Sequence, residues 1–285
     1  MLNKEISNAV AAKVQEIMGS DYEVFSKDVE KNNNMVLTGI VVMKKGSSIA
    51  PTVYIEDLYE QTGNNISATA ERVVEALKKQ STDDISLISS QPITDSEYIR
   101  DNAYVVLVNA EKNKSMIQNT VCEEFLDLLV VVRVRINSSA SYVLKKDLCE
   151  KVGIKESEIL QIAKQNMKGS FEGTEPADMM RRLFGEDIAD NVGIMVCTNK
   201  EGIHGAVFML YPDLLEGIAA QKNDDLYILP SSIHECLAVP AEGQDPSELA
   251  KIVYAVNREQ VAPEEFLSDS VYCYNREDGQ IYKVA

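Results

Sequence analysis

The 285-residue chain has no tryptophan, only two histidines and few aromatic residues, which make up 6% of the sequence. It also lacks the glycine-rich sequences Gly-x-x-x-x-Gly-Lys-Ser/Thr and Gly-x-Gly-x-x-Gly, since its fourteen glycines occur singly. These absences argue against the common ATPase and dinucleotide-binding classes. An enzyme that needs histidine as a base or a metal ligand has only His204 and His234 available.

Basic residues are scarce too: 28 lysines and arginines stand against 45 acidic residues, with a net charge of −17 and a pI near 4.6. This balance argues against contacts with nucleic-acid phosphates or anionic lipid. The apolar run that starts at Phe125 is interrupted by Asp127 and ends at Arg133, short of the ~20 apolar residues of a membrane span. The N-terminal sequence shows no secretion-signal pattern. We therefore expect a cytoplasmic protein that binds neither membrane nor nucleic-acid phosphates.

Paired cysteines are also missing. The five cysteines are widely spread, have apolar neighbours such as Leu148 and Val196, and form no Cys-x-x-Cys. They are Cys122, Cys149, Cys197, Cys236 and Cys273. An odd, unpaired set is typical of reduced, mostly buried thiols in a cytosol.

Hydrophobic periodicity organises the first part of the chain. Ile6, Val10 and Val14 recur at helical spacing and predict a helix that Gly19 ends. Further elements are predicted as a hairpin at 22–29 and 35–43, a strand at 52–55, a helix capped by Ser67, strands at 104–108 and 125–136, and helices at 144–152 and 156–167. In the strand 125–136, valines alternate with Arg133 and Arg135, so this strand is expected to run from the centre of a sheet to a solvent-exposed edge.

A domain boundary is predicted at residues 169–176, where Gly169, Gly173 and Pro176 interrupt regular structure. The net charge is −4 up to Gly169 and −13 from Ser170 onward, so composition changes at the same place. We therefore predict an N-terminal domain at 1–168 and an acidic C-terminal domain at 169–285.

The second domain is expected to contain an antiparallel sheet with helices on one face. Its predicted strands are 192–198, 206–210, 227–229, 236–239, 270–274 and 280–284, and its helices are 212–221 and 246–256. The predicted fold class is α+β, with two modules that are each a largely antiparallel sheet with helices packed on it.

The densest polar segment lies between apolar runs at residues 229–236. It places Ser231, Ser232, His234, Glu235 and Cys236 within six positions, and these residue types serve in nucleophilic and acid–base catalysis. The Gly-x-Ser-x-Gly elbow is absent, however, and catalytic triads are assembled by folding rather than by such spacing. In the competing structural interpretation, the serines cap a turn and His234 bonds to the backbone.

A zinc site could be built from Cys197, His204, His234 and Cys236, which have the right number and type of ligands. Their spacing departs from the close ligand pairs of structural zinc sites, so this hypothesis rests on number alone. No other metal and no cofactor is predicted.

Residues 192–283 resemble a family of uncharacterised proteins from clostridial gut bacteria. The resemblance is carried by YILPSSIHE at 227–235 and PEEFLSDSVY at 263–272, and in the front part by residues 34–59 with TVYIEDLY at 52–59. It implies a bacterial cytoplasmic protein of unknown function, and it assigns no catalytic residue.

Three function classes follow from these observations. We favour a non-catalytic binding or adaptor protein with a protein partner, because cofactor motifs are missing and histidine is scarce. The second class is a hydrolase-type enzyme built around His234, with Ser231, Ser232, Glu235 or Cys236 as its partners. The third is an acidic decoy that mimics nucleic acid, suggested by the net charge of the second half.

Overall fold

A computed structural model provides the structure of the protein. It describes residues 2–46, 50–79, 94–137, 140–171, 194–230 and 232–285. The chain divides into two units, one of residues 1–92 and 136–139, the other of residues 93–135 and 140–285. Each unit has antiparallel sheet with helices packed against it, so the predicted α+β fold class is confirmed.

The first unit contains a three-stranded antiparallel sheet with helices packed on it. Its elements are α1 (Lys4–Met18), β1 (Tyr22–Glu30), a 3-10 turn (Asn32–Asn34), β2 (Val36–Lys44), β3 (Thr52–Tyr54), α2 (Glu56–Gln61) and α3 (Ile66–Lys79). The strand order is β1-β2-β3, so the predicted first helix and hairpin are confirmed. Asn65, rather than the predicted Ser67, caps α3, because its Oδ1 accepts the Ala68 N–H at 3.0 Å.

The core of the first unit lies between α1, α3 and the sheet. The helical spacing seen in the sequence is what places these side chains on one face of each helix. The buried residues include Val10, Val14, Ile40, Val42, Val53, Ala70, Val73, Val74 and Leu77.

The second unit begins with a four-stranded antiparallel sheet. Its elements are α4 (Ser96–Asn102), β4 (Ala103–Asn109), a 3-10 helix (Lys114–Asn119), β5 (Cys122–Phe125), β6 (Leu128–Arg135), β7 (Ser141–Val143), α5 (Lys146–Val152) and α6 (Glu156–Gly169). The single strand predicted over 125–136 is wrong, because the chain reverses at Leu126, whose φ is 56°, and Asp127. Contrary to the prediction, β6 also does not run to the edge of the sheet. It is a central strand, paired with β4 on one side and with β5 and β7 on the other.

A five-stranded antiparallel sheet with two helices completes this unit. The elements are β8 (Met195–Cys197), α7 (Pro212–Lys222), β9 (Leu226–Pro230), β10 (Cys236–Pro240), α8 (Pro246–Glu259), β11 (Tyr272–Asn275) and β12 (Gln280–Lys283). The strand order in the sheet is β12-β11-β9-β10-β8. The strand predicted at 206–210 is wrong, because Gly205–Leu210 is a 3-10 helix. Ala206 to Met209 are all buried, and a short apolar run buried on every side has no periodicity that separates strand from helix.

Both sheets of the second unit share one hydrophobic core. Leu107 and Val130 from the first sheet, Ile228 and Tyr272 from the second, and Ile159 from α6 belong to it. The boundary predicted after residue 168 lies inside this unit, beside the segment 172–193 that lies outside the described residues, and it stays a prediction.

The five cysteines are free thiols, and Cys149, Cys197 and Cys236 are buried. Among the described helices, none combines the length and the hydropathy that a bilayer crossing requires.

The turn at Asp127 is tied to the C-terminal strands by its carboxylate. Oδ1 accepts the Tyr272 hydroxyl at 2.6 Å, and Oδ2 accepts the Ser270 hydroxyl at 2.8 Å and the Lys283 ammonium at 2.9 Å. Burial by itself would raise the pKa of Asp127, but these hydrogen bonds outweigh it and hold the pKa below its ordinary value. The ionised carboxylate therefore stabilises the junction of the two sheets.

We expect Asp127→Asn to lower the free energy of unfolding by about 2 to 3 kcal/mol, since an amide cannot accept from two hydroxyls and an ammonium at once. Urea unfolding measures this loss. The matched control is Asp278→Asn, which removes an exposed carboxylate bonded to the Tyr282 hydroxyl at 2.5 Å and should leave the midpoint nearly unchanged. Equal effects of the two substitutions would show that Asp127 has no special role.

Candidate functional site

The polar segment singled out in the sequence forms the connection between β9 and β10. Ser232 is buried, and its Oγ accepts the backbone N–H of His234 at 3.0 Å. The Ser232 N–H donates in turn to the Glu235 carbonyl at 3.3 Å. Ser232 therefore closes a tight turn, while Ser231 lies outside the described residues.

The His234 imidazole makes contacts at both ring nitrogens. Nδ1 accepts the backbone N–H of His204 at 3.2 Å, and Nε2 lies 3.3 Å from Glu265 Oε1. Because Nδ1 is an acceptor, the ring proton belongs on Nε2, where it faces the carboxylate. Both nitrogens are thus engaged within the protein, and neither presents a free lone pair.

Backbone contacts around His234 join three segments of the chain. The Thr198 hydroxyl donates to the His234 carbonyl at 2.8 Å, and the Ile233 N–H donates to the Glu265 carbonyl at 2.9 Å. A Cβ on Gly205 would lie 2.1 Å from Thr198 Oγ1 and 2.6 Å from the His234 carbonyl oxygen. Only glycine fits at this approach.

His204 has a left-handed backbone, with φ 57° and ψ 27°. Its ring stacks on His234 with centroids 5.7 Å apart and lies 5.9 Å from the ring of Tyr104. No described residue forms a hydrogen bond with its ring nitrogens. Burial, together with the charges of Arg133 and Arg135, lowers the pKa of His204 to about 4, so the imidazole is neutral near pH 7.

Residues of the four-stranded sheet complete the surroundings of His204. Tyr104 and Arg133 are directly paired across β4 and β6, and both donate to Ser141 Oγ, the tyrosine hydroxyl at 3.0 Å and the guanidinium at 3.0 and 3.1 Å. The Arg135 guanidinium lies 5.4 Å from the centre of the Tyr104 ring. We call Tyr104, Arg133, Arg135, His204 and His234 the histidine–arginine cluster.

The two cysteines of the zinc hypothesis face each other directly across β8 and β10, and both are buried. The neighbouring Cys197 side chain, together with burial, raises the pKa of Cys236 well above its ordinary value, and the Cys236 thiol donates to the backbone carbonyl of Cys197 at 3.9 Å. The four residues of the zinc hypothesis therefore form two pairs: Cys197 lies opposite Cys236, and His204 stacks on His234. Within the described ranges, no group of three or more His, Cys, Asp or Glu side chains has an arrangement that could hold a metal ion.

Glu235, the remaining member of the polar segment, is half-buried. Burial raises its pKa, His234 opposes that shift, and Glu265 adds to it. Its carboxyl therefore takes up a proton at higher pH than an exposed glutamate does.

Three members of this cluster, Tyr104, Arg133 and Arg135, are not predicted as site residues from the sequence, and neither is Ser141, which accepts from Tyr104 and Arg133. The alternation of β6 does place both arginines on one face, but that face was interpreted as solvent-exposed. In the structure both arginines are partly buried. Charged residues at every second position of an otherwise apolar strand were the available signal.

The fold and the cluster define an α+β protein in which loops of one sheet hold a polar site against the face of another. The chain belongs to a family of unknown function, DUF5688, whose model matches residues 3–276. Comparison with the curated proteins and with the solved structures found no similar protein.

We expect His234→Phe, which retains a ring for stacking, to lower the free energy of unfolding by about 1 to 3 kcal/mol, because the His204 N–H loses its acceptor. Denaturant melts measure this. The control is Lys251→Met, which removes an exposed ion pair with Glu248 on α8 and should be nearly neutral. An unchanged or raised stability of His234→Phe would contradict the structural role of the imidazole.

The pKa of His204 predicts a pH dependence of stability. The unfolded chain takes up a proton near the ordinary value of 6.5, whereas the folded chain resists it down to about 4. The unfolded state is therefore favoured as pH falls through this interval, by about 1 to 2 kcal/mol near pH 5.

His204→Asn tests this dependence, because asparagine tolerates the left-handed backbone and does not titrate. Unfolding of both proteins at about pH 7.5 and pH 5 gives the result, and the shared carboxylates cancel in the difference. The variant should lose less stability on acidification than the parent protein. Identical losses would contradict a depressed pKa at His204.

Proposed function

We propose that this protein is a non-catalytic binding or adaptor protein. The observation that carries the proposal is the engagement of both ring nitrogens of His234, one by the His204 N–H and the other by Glu265. A general base needs a free nitrogen within reach of the proton it removes. His234, the histidine that lies next to hydroxyl and thiol groups in the sequence, has no free ring nitrogen in this arrangement.

The neighbouring nucleophile candidates support the same proposal. Ser232 is buried, and its hydroxyl oxygen accepts the backbone N–H of His234. The Cys236 thiol is fully buried, and its raised pKa keeps it protonated, whereas a reactive cysteine needs an accessible thiolate. Ser232 and Cys236 therefore fit a structural role in the β9–β10 connection better than a role in covalent catalysis.

A preorganised loop beside the cluster provides a surface for a partner. The Asn199 side chain accepts the N–H groups of Glu201 and Ile203 at 3.1 and 3.2 Å, and it donates to the Ile203 carbonyl at 2.7 Å. The loop leaves Ile203 48% exposed. A rigid loop with an exposed apolar side chain loses little entropy on binding. We therefore propose a protein partner that contacts this loop.

Site-specific photo-cross-linking tests the partner. A photoreactive amino acid at position 203 should give a discrete protein adduct in cells of the source organism. The matched control is position 252 on α8, where an isoleucine is 57% exposed. Adducts of equal yield at both positions, or none at position 203, would contradict a binding surface at this loop.

A serine-directed fluorophosphonate tests the hydrolase alternative, with intact mass as the readout. We expect no addition to the native protein. Stoichiometric modification of Ser231 or Ser232 that disappears in His234→Phe would replace the binding proposal with the hydrolase. The acidic nucleic-acid mimic stays a prediction, and an adduct with a nucleic-acid-binding protein would favour it.

We further propose a bacterial and cytoplasmic origin, with clostridia as the source that the sequence resemblance suggests. The five unpaired thiols support a reducing compartment.

A further inference from the structure

Arg133 is a partly buried cation with no carboxylate partner among the described residues. Its Nε and Nη2 donate to Ser141, and Nη1 has no hydrogen-bond partner in the same ranges. The neighbouring Arg135, in contrast, forms two hydrogen bonds with Glu201, at 3.1 and 3.2 Å. A charge that is removed from water without a counter-ion is unfavourable. A bound anion would therefore stabilise the Arg133 guanidinium.

His204 supplies a second group at the same place. Its ring lies against Tyr104, whose hydroxyl shares the Ser141 Oγ with Arg133. Arg133 on β6 is the cross-strand partner of Tyr104, and the imidazole of His204 lies against the ring of the same tyrosine. A neutral imidazole carries one N–H donor, and no described residue accepts it.

Three carboxylates interact with members of the cluster. Glu201 bonds to Arg135, and Glu265 faces Nε2 of His234. Glu235 is half-buried and interacts electrostatically with His234. None of these three carboxylates forms an ion pair with Arg133.

We propose that Arg133 and His204 bind an oxyanion, a carboxylate or phosphate group, that neutralises the arginine. The unengaged Nη1 of the guanidinium supplies N–H donors to an oxygen of such a group, and the imidazole N–H adds a donor from a second direction. The inference deepens the proposed binding function, because it names the chemical group that a bound molecule presents to the cluster.

The two histidines make this site directly observable. Both belong to the cluster, so the imidazole signals in an NMR spectrum report on this site alone. The probes are inorganic phosphate and acetate, each titrated against sodium chloride at equal ionic strength. We expect a saturable shift of the His204 signals, assigned by their loss in His204→Asn, with phosphate, with acetate or with both. Whichever probe binds identifies the oxyanion.

Arg133→Gln should weaken the binding about tenfold or more, the loss expected for hydrogen bonds to a charged group. Arg258→Gln is the control with the same change in net charge, since Arg258 pairs with Asp269 on the exposed surface, and it should bind like the parent. If Arg133→Gln does not fold, Arg133→Lys retains the charge but lacks a guanidinium that can bond to Ser141 and to the anion through different nitrogens, so it should bind more weakly than the parent.

Shifts no larger than those with chloride would overturn the proposal, and so would equal affinities of the Arg133 and Arg258 variants. The result is independent of the cross-linking at position 203. A partner adduct there without oxyanion binding would refute this inference alone, and oxyanion binding without an adduct would refute the protein partner alone.

Discussion

The hydrogen bond from the His204 N–H to Nδ1 of His234 is the contact on which the arrangement of the site depends. It holds His204 in a left-handed backbone that brings the next residue, Gly205, against Thr198 and the His234 carbonyl. The opposite ring nitrogen faces Glu265, whose own carbonyl accepts the Ile233 N–H. One imidazole thus fixes three chain segments, and the ring of His204 stacks on that imidazole while lying tilted against the ring of Tyr104.

Asp127 has a comparable role at another edge of the same unit, where one carboxylate accepts from Ser270, Tyr272 and Lys283. Most of the stability of this unit comes from the apolar core that the two sheets share, because burial of many large side chains outweighs a few hydrogen bonds of about 1 kcal/mol each. The polar contacts instead fix the positions of the loops relative to one another at the edge of that core. A site built from such loops is rigid before anything binds to it.

Much of the fold follows from local pattern, and the exceptions have physical causes. α1, the β1–β2 hairpin and the stripe of α3 were predictable because each buries one face against a single core. The reversal at Leu126 and Asp127 was missed because apolar residues flank it on both sides, and the 3-10 helix at Gly205–Leu210 because it is buried all round. The sequence singles out His234 as a candidate, but the position of His204 beside Tyr104 and Arg133 depends on contacts between sheets that no local pattern encodes.

The tautomer of His234 directly tests whether both of its ring nitrogens are engaged within the protein. Long-range ¹H–¹⁵N correlation spectra of the two imidazoles, recorded near pH 7, distinguish a protonated ring nitrogen from an unprotonated one. We predict that His234 carries its proton on Nε2 and has an unprotonated Nδ1 that accepts the His204 backbone N–H. A proton on Nδ1, or fast exchange between the two tautomers, would contradict the engaged imidazole and reopen the possibility of catalysis by His234.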